Sequence, residues 1–246
     1  SSSARYTVFI NGRPQPFYLS QLEPVTQEEL AEIISIEQVH TYLTGLQINH
    51  PSLSTLYSLN SARIDFVPYQ YRPALKIIHS DRPRLLIADG VGVGKTIEAG
   101  LVLRELQARQ DIRTVLIICP KPLVSERKWE LEMKRFDEQF THLDGKLLRY
   151  CLDETDLEGE WPEQYGKAIL PYSLFDERLL YGIKDGRRNR KGLLDLDPPP
   201  RFDVVIVDEA HHIRNASTFS YQAVNFLCEQ AEAVLFLTAT PIQLGN

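Results

Sequence analysis

Residues 85–100 read LLIADGVGVGKTIEAG, and no other stretch restricts the fold as strongly. An apolar run passes into a loop carrying Gly90, Gly92 and Gly94. Lys95 and Thr96 follow, then Ile97, Leu101, Leu103 and Leu106 at helical spacing. A buried strand, a tight loop and a helix in that order form the first half of a βαβ unit. Successive backbone N–H groups of such a loop, with the positive end of the helix, make a cradle for phosphate oxygens. Glycines are needed because side chains would hold the backbone away from the anion, and because some loop positions take φ > 0. Asp89, Gly90, Val91, Gly92, Val93, Gly94, Lys95 and Thr96 are therefore candidate nucleotide-binding residues. Lys95 would reach the β- and γ-phosphates and take part in catalysis, and the Thr96 hydroxyl would ligate Mg²⁺. The strict pattern G-x-x-x-x-G-K-[ST] has glycine where Asp89 stands, but the strand before and the helix after meet what the mechanism demands.

Further short apolar runs recur along the chain: Thr114–Cys119, Val204–Val207, Ala233–Leu237 and a weaker one at Lys167–Leu170. Runs that are apolar throughout suit strands covered on both faces of a parallel sheet, and helical patterns separate them, the clearest being Thr96–Gln107. The pattern predicts an α/β fold with a mostly parallel central sheet flanked by helices. Ligands in such sheets bind beyond the carboxyl ends of the strands.

Two more strand ends carry chemistry. VVIVDEAHHIRN, residues 204–215, places Asp208 and Glu209 at the carboxyl edge. One carboxylate suits hydrated Mg²⁺ and the other suits polarising an attacking water, which assigns Asp208 to the metal and Glu209 to catalysis. Adjacent histidines are expected to diverge, and no further ligand spacing supports zinc, so His211 reads as a polar coupling link. VLFLTATPIQ, residues 234–243, brings Thr238 and Thr240 to the same edge.

The first sixty residues carry no chemical motif and read as a small N-terminal α+β accessory subdomain, with the catalytic domain over 61–246. Residues 5–19 suggest a hairpin about Asn11-Gly12, its second strand limited to an edge by Pro14 and Pro16. Thr26 and Glu29 form a capping box that opens an amphipathic helix through about Leu43, and a short helix is expected at 52–59. The acidic run 153–163 reads as a solvated loop. The basic run 184–191 reads either as a solvated face or as a phosphate-contacting loop.

With 43% hydrophobic and 24% charged residues the composition is ordinary for a globular chain, and no apolar run approaches the roughly 18 residues of a membrane span. A net charge of −6 excludes a uniformly basic nucleic-acid binder without excluding a local basic groove. Three cysteines in apolar surroundings point to core residues of a reduced, cytoplasmic protein.

Taken together and in order, D-G-V-G-V-G-K-T, D-E-A-H and L-T-A-T-P resemble the first three core motifs of superfamily 2 helicases, and more narrowly those of Swi/Snf-type ATPases. That family carries Asp at the position of Asp89; it usually has Glu where this chain has Gly90, a change expected to alter loop flexibility more than phosphate binding. IEAG is especially similar to the matching segment of bacterial RNA-polymerase-recycling ATPases and their prokaryotic relatives. The resemblance covers about residues 64–246. It implies a RecA-like lobe that binds ATP and Mg²⁺, with Gln70 of FVPYQYRPA reading the adenine edge. It also implies a duplex-DNA track bordered by IICPKPLVSERKWELE and ILPYSLF, where Lys121, Lys128, Tyr172, Ser173, Arg187, Arg188, Arg190 and Lys191 are candidate contacts. A second RecA-like lobe, which in the family supplies arginine fingers, is expected outside this chain, so the single lobe should be nearly inactive. Two further readings stand beside the DNA translocase: a nucleotide-gated switch that binds protein partners, through the N-terminal segment among others, and, more weakly, a small-molecule kinase.

Overall fold

The computed structural model of the chain describes residues 5–10, 13–18, 39, 41, 56, 67–78, 80, 82–90, 92, 94–185 and 188–239. The chain divides into two compact units, residues 1–45 and 46–246. In the first, strand β1 (Arg5–Ile10) pairs antiparallel with β2 (Arg13–Tyr18), from Arg5 opposite Tyr18 to Ile10 opposite Arg13. This is the expected hairpin. A two-stranded ribbon leaves each strand one unpaired side, which is how Pro14 and Pro16 are accommodated. The helices expected over 26–43 and 52–59 lie outside the described residues, apart from isolated positions.

The first described elements of the second unit are a 3-10 turn, Pro68–Tyr71, and helix α1 (Arg72–Ile77). Strand β3 (Arg84–Ile87) leads through the glycine loop into α2 (Lys95–Arg109), and β4 (Val115–Cys119) into the short helices α3 (Lys121–Ser125) and α4 (Lys128–Met133). Then come β5 (Thr141–His142), α5 (Gly145–Glu158), β6 (Lys167–Pro171), α6 (Glu177–Tyr181) and a hairpin of β7 (Ile183–Asp185) with β8 (Arg188–Arg190). Strand β9 (Val204–Val207), α7 (Phe219–Gln230) and β10 (Ala233–Leu237) are the last of its described elements.

Six strands form one sheet in the order β3-β10-β9-β4-β6-β5, every neighbouring pair parallel. All five apolar runs of the sequence are strands of it. The sixth, β5, is two residues long and has no apolar signature. Strands β4 and β9 are buried at every position, as side chains covered on both faces require. Leu116, Ile118, Val205, Val207 and Val234 share a core with Leu148, Leu152, Val224 and Leu227 of α5 and α7. The alternate residues Ile117, Ile206 and Leu235 are equally buried and, by the pleat, face the other side, where α2 packs on α1 and α4. Strand β3 departs from the expectation of burial on both faces. It lies at the sheet's margin, and Leu86 is 53% exposed.

The acidic run at 153–163 is not a loop; most of it forms the last turns of α5. Leu148, Cys151, Leu152 and Thr155 recur at i, i+3, i+4, i+7 and turn inward. The carboxylates sit on the outer face. Asp144 caps the helix by accepting from Lys146 N and Leu147 N at 2.9 and 2.8 Å, and Gly159 ends it at φ +79°. The basic run is the β7–β8 hairpin, and its Arg190 and Lys191 reach those carboxylates. Lys191 Nζ lies 2.7 Å from Asp156, and Arg190 lies 3.9 Å from Asp153.

Candidate functional site

Because β9 and β10 insert between β3 and β4, three sequence-distant strand ends become neighbours. Ile87 pairs with Leu237, and Phe236 with Val207. The ladder continues one residue further, Thr238 N donating to Ile87 O at 3.1 Å and Asp208 N to Ile118 O at 2.8 Å. The glycine loop, Thr238 and Asp208 therefore stand along one carboxyl edge within two strand spacings, about 10 Å.

The loop is built as its composition requires. Gly92 and Gly94 have φ of +85° and +99°. A Cβ on Gly90 or Gly92 would meet no atom within 4 Å, so the loop borders open space there. At Gly94 a Cβ would lie 2.4 Å from Gln70 Nε2, so the buried Gln70 amide rests directly on the loop. Lys95 Nζ donates to the carbonyls of Asp89 and Gly90 at 3.0 Å each, which holds the ammonium over the loop's own turn. Thr96 follows in the first turn of α2. Val91, Val93, Thr240 and Arg187 lie outside the described residues.

Beneath the loop sits a carboxyl pair that the sequence reading did not anticipate. Glu98 is 1% exposed, and its Oε2 has no hydrogen-bond partner among the described residues. Burial, joined by the charge and hydrogen bond of Asp89, pushes the Glu98 carboxyl up to about 7. Both side chains line a cavity of about 410 Å³ with Tyr69, Arg72, Lys76 and Leu86.

At the end of β9, Asp208 is 6% exposed. Its Oδ2 accepts Trp129 Nε1–H at 2.8 Å and its Oδ1 accepts Glu209 N–H at 2.8 Å. The Asp208 carbonyl accepts the Tyr172 hydroxyl at 2.7 Å. Burial raises the carboxyl above its ordinary range, the two N–H donors working against that. A cation beside it would favour the charged form. Glu209 takes a left-handed backbone, φ +50° and ψ +51°, a conformation costing a non-glycine residue on the order of 1–3 kcal/mol and concentrated at functional sites. The turn redirects the chain into the 3-10 segment Ala210–Ile213 and leaves Glu209 Oε2 3.2 Å from His211 Nδ1. The histidines do not diverge as expected. Their rings lie 4.4 Å apart at 31°, and His212 in turn lies 5.7 Å from Tyr172. The tight turn and the tyrosine surface draw both rings to one side, and burial beside His211 lowers the His212 pKa.

The nucleic-acid candidates occupy different settings. Lys121 and Lys128 are exposed at the starts of α3 and α4, and Ser173 is exposed after β6. Tyr172, beside it, is 8% exposed with its hydroxyl committed to the Asp208 carbonyl. Arg190 and Lys191 carry the carboxylate partners described above, while Arg188 contributes backbone to β8. Trp129 escaped the sequence reading as a site residue. Its only local signal is a tryptophan inside a charged segment, and its partner is 79 positions away.

The residues fit a nucleotide with a divalent cation. A positive-φ glycine loop bordering open space suits polyphosphate, and the Thr96 hydroxyl and Asp208 carboxylate are the hard oxygen donors Mg²⁺ prefers.

Residues 63–243 match the family described as type III restriction enzyme, res subunit. Two solved structures from Sulfolobus solfataricus are similar in fold: the SWI2/SNF2 ATPase core in complex with dsDNA, and the SWI2/SNF2 ATPase core domain. Each is 21% identical, with TM-scores of 0.54 and 0.52, covering 75% and 76% of this chain. The match covers 34% of each of those chains, so this chain spans about a third of their length. Since the family match runs from before Gln70 to past Thr238, the chain belongs to the type III restriction enzyme res-subunit family and shares the fold of the SWI2/SNF2 ATPase core.

Proposed function

We propose that this chain is the ATP-binding lobe of a DNA-dependent ATPase that uses hydrolysis to move along duplex DNA. The observation that carries the nucleotide part is the adjacency of the glycine loop, Asp208 and Thr238 on one sheet edge. The loop N–H groups and Lys95 bind the β- and γ-phosphates, with Gln70 placed against Gly94 on the base side. Thr96 and Asp208 hold Mg²⁺, which when bound neutralises charge building on the phosphate oxygens. Glu209 accepts the proton of the attacking water, and His211, whose Nδ1 lies 3.2 Å from that carboxylate, couples the site to the neighbouring loops. Thr238 follows β10 between the two motifs and, together with Thr240, relays the state of the site to the nucleic-acid track.

Glu209→Gln in the full-length protein should retain ATP binding while turnover falls about 10²–10⁴-fold, the usual worth of a general base. Unchanged turnover removes Glu209 from the role. Lys95→Ala should weaken binding of a fluorescent ATP analogue directly.

The DNA part draws support from exposed Lys121, Lys128 and Ser173, and from the neighbour solved with dsDNA. Duplex should stimulate hydrolysis, and duplex affinity should fall steeply as salt rises. Lack of stimulation, with a flat salt response, favours a nucleotide-gated protein switch instead. A second RecA-like lobe supplying arginine fingers completes the site in this reading. An arginine finger supplied in trans is worth about 10³–10⁵ in rate.

A further inference from the structure

Asp208 is gripped from outside its own motif. Trp129 is 1% exposed and follows Lys128 at the start of α4, just after a left-handed turn at Arg127 (φ +54°). Its indole N–H reaches Asp208 Oδ2 at 2.8 Å, while Oδ1 is held at 2.8 Å by the Glu209 backbone N–H. A carboxylate offers about four lone-pair positions. One donor on each oxygen fixes the carboxylate plane and thereby the direction of the positions left over. The backbone donor belongs to the strained Glu209 turn and cannot orient the group alone, because the carboxylate plane can still turn about Cβ–Cγ through the range of angles that one hydrogen bond tolerates. The indole removes that freedom.

We propose that Trp129 is a positioning residue that aims the Asp208 carboxylate at the cation of the nucleotide site. The inference rests on the reading of Asp208 as the magnesium-holding carboxylate. A donor that orients a metal-binding carboxylate typically carries 10–100-fold in metal affinity. The packing role of the ring and the orienting role of its N–H are separable. An indole lacking only the N–H keeps the first and loses the second.

The test uses the full-length protein with Trp129→3-benzothienylalanine, which keeps the bicyclic ring and puts sulfur in place of N–H, and Trp129→Phe in parallel. Binding of a fluorescent ATP analogue is titrated in EDTA and then across a magnesium series, with a thermal melt of each variant. The expected result is wild-type nucleotide affinity in EDTA, a melting temperature within a few degrees of wild type for the sulfur variant, and at least a 10-fold higher magnesium concentration for the cation-dependent gain in binding. An unchanged magnesium midpoint in the sulfur variant overturns the proposal, and this holds even if Trp129→Phe fails to fold. If wild-type protein shows no magnesium-dependent gain at all, the reading of Asp208 itself has failed, an outcome separate from the first.

Discussion

Glu98 sits in the first turn of α2 with almost no exposure and a carboxyl pushed up to about 7 by burial and by Asp89. The raised value has a consequence for stability. Between the unfolded value near 4.5 and the folded value near 7, the native chain holds a proton that the unfolded chain releases. That contribution is fully present below the unfolded value and is lost as pH rises through 7. Glu98→Gln, which stays neutral, should flatten this part of the profile. Thermal melts across about pH 4–8 would show wild type losing melting temperature relative to the variant on the alkaline side; parallel curves would refute the assignment. Gly94 makes a second case. At φ +99° an added methyl is strained by on the order of 1–2 kcal/mol, and the buried Gln70 amide must also move aside. Gly94→Ala should lower the melting temperature and weaken nucleotide binding together, measured by calorimetry and analogue titration.

The same competition of small terms decides an element-scale prediction in α2. Gly100 lies mid-helix, where alanine is better by about 1 kcal/mol on propensity alone. A Cβ there would stand 2.3 Å from the buried Phe136 ring, and overpacking a core typically costs about 1–3 kcal/mol. Clash outweighs propensity, so Gly100→Ala should destabilise the lobe in a denaturant titration. Elements were legible in the sequence to the extent that they bury a repeating face. The five apolar strands and α2 declared themselves by unbroken or 3.6-period hydrophobicity. Strand β5 did not, because two polar residues have no period. The end of α5 was hidden because its charges outnumber its inward residues over 153–158. The glycine loop and Asp208-Glu209 were readable because their chemistry is contiguous in the chain. Trp129, the Tyr172 hydroxyl and the Tyr172–His212 ring contact were not, since each is defined by a partner that only the parallel sheet brings near.

At the scale of the whole molecule, a net charge of −6 coexists with cations that are spoken for in unequal degree. Arg190 and Lys191 face the carboxylates of α5, whereas Lys121 and Lys128 stand exposed beside the site. Charge reversal should separate the two groups. Lys128→Glu should weaken duplex binding and reduce the salt slope by about one, while Lys191→Glu should act mainly on the hairpin's attachment; gel-shift titrations over a salt series read both. The 246-residue chain by itself should hydrolyse ATP about 10³-fold or more slowly than the full-length protein, measured by phosphate release. Strand β5 has a meaning at this scale as well. An exposed sheet margin is a template on which another chain can crystallise its own strand, and a margin only two residues long offers too few free backbone groups for that pairing to hold. The shortest strand of the lobe thus limits strand addition at its own margin, while the opposite margin is the four-residue β3, where Leu86 is 53% exposed.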